Sequence, residues 1–328
     1  MRAHAFADRL LVGVALATTG CAAWAQPAAR TTYPAKPVRM VIPSVPGGSL
    51  DFVSRVVAQR LTDALGQQVV ADNRPGASGI VASELVARAP GDGYTVLMGY
   101  SSHATNPSLY AKLPYDTLKD FAPVTQVAAL TQVLVAHPSL PVRSAGDLIA
   151  LAKARPGELT YASPGIGAAA HLAAELFRSM AKTKMLHVPY KGGAPATLDL
   201  LSGHVMLMFN GMPVSLPHLK AGKLRGLAVS TAKRSPVLPD LPALAETLPG
   251  YDVVEWNGMF APGGTPAPVV SRLQNEIAKI LQIAEVRERL SSQGADPVGN
   301  TPDAFAAFLR TEVGRWAQVV RDAGIRIE

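Results

Sequence analysis

The chain has 328 residues, 48% of them hydrophobic and 17% charged, with a formal net charge of +7. That length predicts two domains, and that composition excludes a disordered chain. The basic balance favours anionic partners, but no Lys/Arg run and no basic stripe interleaved with aromatics is present, which argues against nucleic acid.

Read from the start, Arg2 and Arg9 precede an apolar stretch from Leu10 to about Ala23. Its roughly 14 residues suit the core of a secretion signal rather than a membrane span, which needs about 20. Ala23-Trp24-Ala25 offers a small-x-small cleavage site. Residues 1–25 are therefore read as a cleaved signal peptide, with a periplasmic mature chain starting at Gln26. The sole cysteine, Cys21, falls inside this segment, so no disulfide is expected. A lipoprotein signal acylating Cys21 is the alternative, although Thr18 stands where such signals usually carry Leu. Loss of Arg2, Arg9 and Asp8 takes the formal charge from +7 to +6. No later window is apolar enough to span a membrane.

After a loose leader at Arg30–Lys36, strand and helix signals alternate. Val38–Ile42 reads as a strand and Pro46-Gly47-Gly48 as a turn. Ser49 is expected to cap a helix whose apolar residues Leu50, Val53, Val56, Val57, Leu61 and Leu65 form one stripe, ended by Gly66. Strands are predicted at Gln68–Ala71 and Tyr94–Tyr100 around a helix at Ser78–Arg88. The rhythm resumes with strands at Gln132–Ala136, Leu159–Ala162, Leu186–Val188, Val205–Phe209 and Leu224–Ser230. Between them lie a Ser144-capped helix and helices at Gly167–Met180 and Pro195–Leu201. A strand at Asp252–Phe260, a helix at Pro268–Leu281 and a final helix from Thr301-Pro302 to about Asp322 complete the chain. Such alternation predicts an α/β fold of mostly parallel sheets flanked by helices.

Three strand–turn–helix junctions share one design: Pro46-Gly47-Gly48-Ser49, Ser163-Pro164-Gly165-Ile166-Gly167 and Lys191-Gly192-Gly193-Ala194. Each places small residues at a helix start, where free N–H groups and the helix dipole suit an anion. Gly165-Ile166-Gly167-Ala168-Ala169-Ala170 also fits the dinucleotide fingerprint G-x-G-x-x-A. Lys182–Gly193 nevertheless lacks the acid that would hold a ribose, so no cofactor is expected. No G-x-S-x-G, Walker or H-E-x-x-H motif occurs, and no catalytic residue is assigned. His171 and Glu175, four apart, face one side of a helix. They are read as a backbone-bonded histidine and a solvated acid rather than a metal pair, and no metal is expected. Asp51 is read as a helix-start residue rather than a general acid.

These residues resemble the extracytoplasmic receptors of tripartite tricarboxylate transporters, the Bug receptors, across nearly the whole mature chain. The matching stretches include Pro46-Gly47-Gly48-Ser49-Leu50-Asp51, Asn73-Arg74-Pro75-Gly76-Ala77, Asp92-Gly93-Tyr94 and Asp120-Phe121-Ala122-Pro123-Val124. Tyr161-Ala162-Ser163-Pro164-Gly165-Ile166-Gly167, His187-Val188-Pro189-Tyr190-Lys191-Gly192 and Trp256-Asn257-Gly258 continue the series. The resemblance implies a two-lobed periplasmic-binding-protein architecture. Lobe 1 would comprise 26–128 with 250–328 and lobe 2 would comprise 129–249, with the ligand in the cleft between them. It implies a monomeric, non-enzymatic receptor. Backbone amides and hydroxyls would hold a small carboxylate, aromatic or hydroxylated among the options, for delivery to membrane transporter subunits. A carboxylate sensor feeding a signalling partner, or a secreted hydrolase, are the alternatives. The implied contacts are Gly47, Gly48, Ser49 and Asp51 on one lobe. Ser163, Gly165, Ile166, Gly167 and Ala168 lie on the other, with Lys191, Gly192 and Asn210 in support. Ser44, Ser101 and Ser102 complete the set. Ser44 stands where the family usually has an aromatic, and Ala181-Lys182 where it usually has Ala-Gly.

Overall fold

In the computed structural model, residues 33–322 and Ile325 are described. The predicted signal segment, its cleavage at Ala25 and Cys21 lie outside them. The chain runs β1 (Val38–Ile42), α1 (Ser49–Leu65), β2 (Val69–Asn73), α2 (Ile80–Ala87), β3 (Thr95–Tyr100), α3 (Ser102–Leu109) and β4 (Phe121–Leu130). It continues through β5 (Gln132–Ala136), α4 (Ala145–Ala154), β6 (Thr160–Ser163), α5 (Ala169–Ala181), β7 (Leu186–Pro189) and α6 (Gly193–Leu201). Then come β8 (Leu207–Gly211), α7 (Met212–Lys220) and β9 (Arg225–Val229). The chain ends with β10 (Glu255–Pro262), α8 (Ala267–Gln282), α9 (Ala284–Ser291), β11 (Ala295–Pro297) and α10 (Pro302–Asp322).

Two sheets result. The first has order β11-β4-β10-β3-β1-β2 and the second β7-β6-β8-β5-β9. The α/β class is as expected, but the pairing is mixed. Strands β2, β1 and β3 run parallel, as do β7, β6 and β8, whereas β10 and β4 pair antiparallel, as do β5, β8 and β9. The strands that run against their neighbours include β10 and β5, which receive the chain as it crosses from one sheet to the other. Only Thr131 separates β4 from β5, and β9 leads back to β10.

The α1 stripe buries Leu50, Val53, Val56, Val57, Leu61 and Leu65 against the first sheet, and Gly66 ends the helix at φ 65°. Ser49 is the first helical residue, not the cap; Gly48 takes the cap position without a side-chain hydrogen bond. Lys182 adopts the left-handed conformation that closes α5, at φ 52°, a place where glycine would be unstrained. Helix α10 packs into both cores. Phe305 and Leu309 join Val41, Trp256 and Phe260, while Trp316 and Val320 join Leu134, Tyr161 and Phe209. Among the described residues, no helix is long and apolar enough to cross a membrane.

Candidate functional site

A cavity of about 760 Å³ lies at the strand ends, lined from both sheets. Four helices begin on it. Gly48 and Ser49 open α1, Ala168 and Ala169 open α5, Gly192 and Gly193 open α6, and Gly211 precedes α7. None of the four has a side-chain cap. Helix α4, away from the cavity, shows the contrast, since Ser144 there accepts from the Asp147 N–H at 3.0 Å. First-turn N–H groups cannot bond within their own helix. In α7 the Met212 N–H already donates to the Thr131 carbonyl at 3.1 Å and Pro213 has no N–H. The free donors therefore come mainly from α1, α5 and α6, while four positive dipole ends meet at one space, a surface suited to anions.

Other turns approach this surface closely. A Cβ on Gly211 would collide with the Ser49 hydroxyl and stand 3.1 Å from Ser49 Cβ, and one on Gly192 would lie 2.8 Å from Val45 Cγ2. Both contacts join elements of different sheets. Ser78 adds another, since its hydroxyl donates to the Ile166 carbonyl. Ala77 and Ser78 sit consecutively in left-handed conformation, at φ 44° and 50°. Non-glycine residues persist there only when their surroundings hold them. Here Asn106 Nδ2 donates to the Ser78 carbonyl at 3.1 Å, in addition to the Ile166 bond.

Of the expected contacts, Ser44, Gly48, Ser49, Gly165, Ile166, Ala168, Lys191, Gly192 and Asn210 line the cavity. The others sit behind it. Gly47 and Asp51 border a neighbouring cleft of about 410 Å³. Asp51 there accepts from the Gly47 N–H at 3.0 Å, Arg55 Nε at 2.9 Å and Asn73 Nδ2 at 2.9 Å. Burial works to raise its carboxyl, but these hydrogen bonds outweigh it and hold the group below the usual carboxylate range. Asp51 thus fastens the Gly47-Gly48 turn. Ser101 Oγ accepts from the Trp256 N–H at 3.1 Å, and Ser102 Oγ donates to the Gly167 carbonyl at 3.2 Å. Thr105 Oγ1 donates to the same carbonyl at 2.9 Å.

The walls hold residues that motif reading did not reach: Tyr100, Tyr110, Gln132, Phe209, Val214 and Glu255. Glu255 is the one acidic side chain of the lining, and Lys191, exposed, the one basic. Gln132 Nε2 donates to Glu255 Oε2 at 3.1 Å. Burial pushes the Glu255 carboxyl above the usual carboxylate range, with the Gln132 bond working against it. Glu255 opens β10 beside Leu130 of β4. That position arises from sheet pairing, and no local motif marks it.

Ser163 Oγ lies 2.6 Å from His187 Nε2, a pairing that a hydrolase would use. Ser163 is fully buried, however, and accepts from the Gly165 N–H at 3.2 Å. The His187 ring stacks on Tyr161 at 4.9 Å and on His171 at 4.1 Å. Burial, with the nearby His171, pushes His187 down to about 3, too low for a base near neutrality. Neither residue reaches the cavity. His171 Nδ1 accepts from the Gly167 N–H at 3.1 Å, the backbone role expected of it. Glu175 departs from expectation. It is buried, bonded to the Tyr161 hydroxyl and paired with Arg178, because the helix turns it toward β6 rather than toward solvent. This cluster braces the Gly165-Gly167 turn from behind. Among the described residues, no group of three or more His, Cys, Asp or Glu side chains is arranged to hold a metal ion.

Comparison with known proteins follows the same direction. The family model described as tripartite tricarboxylate transporter family receptor matches residues 53–325. Protein BugT of Bordetella pertussis is 40% identical over 321 residues, 97% of this chain and 98% of BugT. The structure of R. palustris Rpa4515 with adipate has 41% identity and a TM-score of 0.88, covering 90% of this chain and 100% of that one. MatC (Rpa3494) from Rhodopseudomonas palustris with bound malate has 32% identity and a TM-score of 0.84, covering 88% of this chain and 100% of MatC.

Proposed function

The chain belongs to the tripartite tricarboxylate transporter receptor family, and on that premise we propose that it is a periplasmic receptor that captures a small carboxylate and delivers it to the membrane subunits of such a transporter. In this reading residues 1–25 are removed on export and the mature chain acts as a monomer. The halves built on the two sheets, 26–128 with 250–328 and 129–249, act as lobes that close over the ligand.

The observation that carries the reading is the convergence of four uncapped helix starts on one cavity. A carboxylate there receives several charge-assisted hydrogen bonds, each contributing about 1.5–3 kcal/mol net. About five such bonds, less the cost of ordering, reach the roughly 8 kcal/mol of micromolar binding without a salt bridge. Gly47 and Asp51, Ser101 and Ser102, and Ser163 with Gly167 are proposed to hold the anchoring turns in shape. Ser44, where the family usually has an aromatic, leaves room for a ring-bearing or hydroxylated acid. No nucleophile with a competent base lines the cavity, which favours capture without turnover. The adipate and malate held by the two structural relatives support a carboxylate ligand.

A thermal-shift screen of small carboxylates on protein refolded to strip bound ligand tests the proposal. At least one acid is expected to raise the unfolding midpoint, and the matching primary amide is not. Equal shifts from acid and amide refute it.

A further inference from the structure

An acid in the wall of an anion-binding cavity needs a reason. Glu255 is partly buried, and Gln132 is its one hydrogen-bonding neighbour among the described residues. Gln132 is itself only 1% exposed and lines the cavity, yet its Oε1 is buried without any hydrogen-bond partner. With Glu255 ionised, the Gln132 amide must turn its Nε2 toward the acid, as it does here, and so leaves Oε1 buried and unpaired. A buried acceptor left unmatched is costly, as is a buried charge without a counter-charge. This corner of the cavity therefore offers the Glu255 carboxylate as an acceptor and lacks a donor, whereas the helix starts offer donors and lack an acceptor.

We propose that Glu255 and Gln132 form a second subsite, which binds an ammonium group on the same molecule whose carboxylate sits on the helix starts. The ligand class is then an amino acid in the broad sense: one carboxylate, one amine, set apart along a chain or ring. The proposal rests on the carboxylate-receptor reading and sharpens it. A carboxylate accepts from an ammonium, and Gln132 Nε2 holds that carboxylate in place from its other side. A plain diacid would instead set a second negative charge near Glu255, which the site tolerates only with the acid protonated. The elevated Glu255 carboxyl is in keeping with this, since a buried acid without a cation resists ionisation and one facing an ammonium does not. Lys191, on the other sheet, adds to the attraction for the carboxylate end.

Titration calorimetry with matched pairs tests the subsite: adipate against 6-aminohexanoate, succinate against 4-aminobutanoate, and terephthalate against 4-(aminomethyl)benzoate. In at least one pair the amine-bearing member is expected to bind the wild type at least tenfold more tightly than its diacid. Glu255→Gln keeps the shape and removes the charge; it should cost that ligand at least tenfold and leave the diacid equal or improved. Gln132→Met should weaken the amine-bearing ligand and spare the diacid, which keeps the test open if the first variant folds poorly. Diacids bound more tightly than their amine-bearing partners, with Glu255→Gln changing both alike, overturn the subsite and leave the carboxylate reading standing. A 6-aminohexanamide control that binds as well as 6-aminohexanoate overturns both.

Discussion

Gly211→Ala probes whether the two halves meet only around a ligand. Gly211 ends β8 of the second sheet, and Ser49 begins α1 above the first. The added methyl meets the Ser49 hydroxyl and stands 3.1 Å from Ser49 Cβ. Rotating the hydroxyl relieves the first clash but not the second. Inserting a methyl into so close a contact costs about 1–3 kcal/mol. If the contact exists only in the closed, liganded form, the whole cost falls on binding, and affinity drops roughly 5- to 150-fold. Calorimetry with a carboxylate found by the screen measures the drop, and thermal unfolding of ligand-free protein measures the remainder. The expected result is weakened binding with an unchanged ligand-free midpoint. Adding Ser49→Gly removes the opposing atoms and should restore part of the loss. Unchanged affinity in Gly211→Ala refutes the reasoning. An equal loss of ligand-free stability refutes it too, because the halves would then touch whether or not a ligand is present.

Three further outcomes are expected. Ser44→Phe narrows the cavity wall and should cost a bulky acid about 1–3 kcal/mol by overpacking while sparing a compact one; equal affinities across a carboxylate panel would show that residue 44 does not set ligand size. Burial holds His103 at about 3, His171 at about 4 and His187 at about 3, against about 6.5 in the unfolded chain. Below pH ~6.5 the unfolded chain therefore takes up protons that the folded one refuses. This contribution to stability is full above that pH and is lost progressively as pH falls toward about 3. Glu255, raised by burial, opposes the trend by a single group in the carboxylate range. Unfolding midpoints should be level from pH 7 to 8, fall below 6, and fall less in His103→Phe; a midpoint that rises on acidification contradicts the assignment. Phe305→Ala removes a fully buried ring whose centroid is 4.9 Å from that of Phe260 and 5.7 Å from that of Trp256. Urea denaturation should show a loss of about 3–5 kcal/mol, and a loss below ~1 kcal/mol would show that the core collapses around the gap.

The parts legible in the sequence were those written in local spacing. The apolar stripe of α1, its glycine stop and the glycine turns at three helix starts all stand where periodicity and turn chemistry put them. Most of the elements that escaped carry prolines, which read as breakers, although α9 (Ala284–Ser291) carries none. Pro107 lies within α3, Pro213 and Pro217 lie in α7, and Pro123 lies in β4. Proline is tolerated in the first turn of a helix, so Pro213 was no bar to α7, and the fourth helix start on the cavity went unread with it. The walls were hidden for another reason. Glu255, Gln132 and Tyr100 are far apart in sequence and meet only through the pairing of β10 with β3 and β4 and the step from β4 to β5. Fold-family resemblance could point to candidate anchors because they are motifs. It could not supply a wall set by long-range register.

A cavity anchored by four helix starts has a consequence for descent. Every residue except proline carries the same N–H group, so changing Ala169, Gly193 or Ser49 alters a side chain and leaves the donor in place. If the cavity holds an acid as proposed, drift can hardly erase that capacity. Ser44, Tyr110 and Glu255 lie outside the helix starts and face no such restraint. On that proposal a duplicated gene begins its separate history already able to bind some acid, a few wall changes from preferring another. Within one genome, then, copies of this receptor should sort by diet according to a handful of wall residues, and total sequence divergence should be a poor guide to what each one carries.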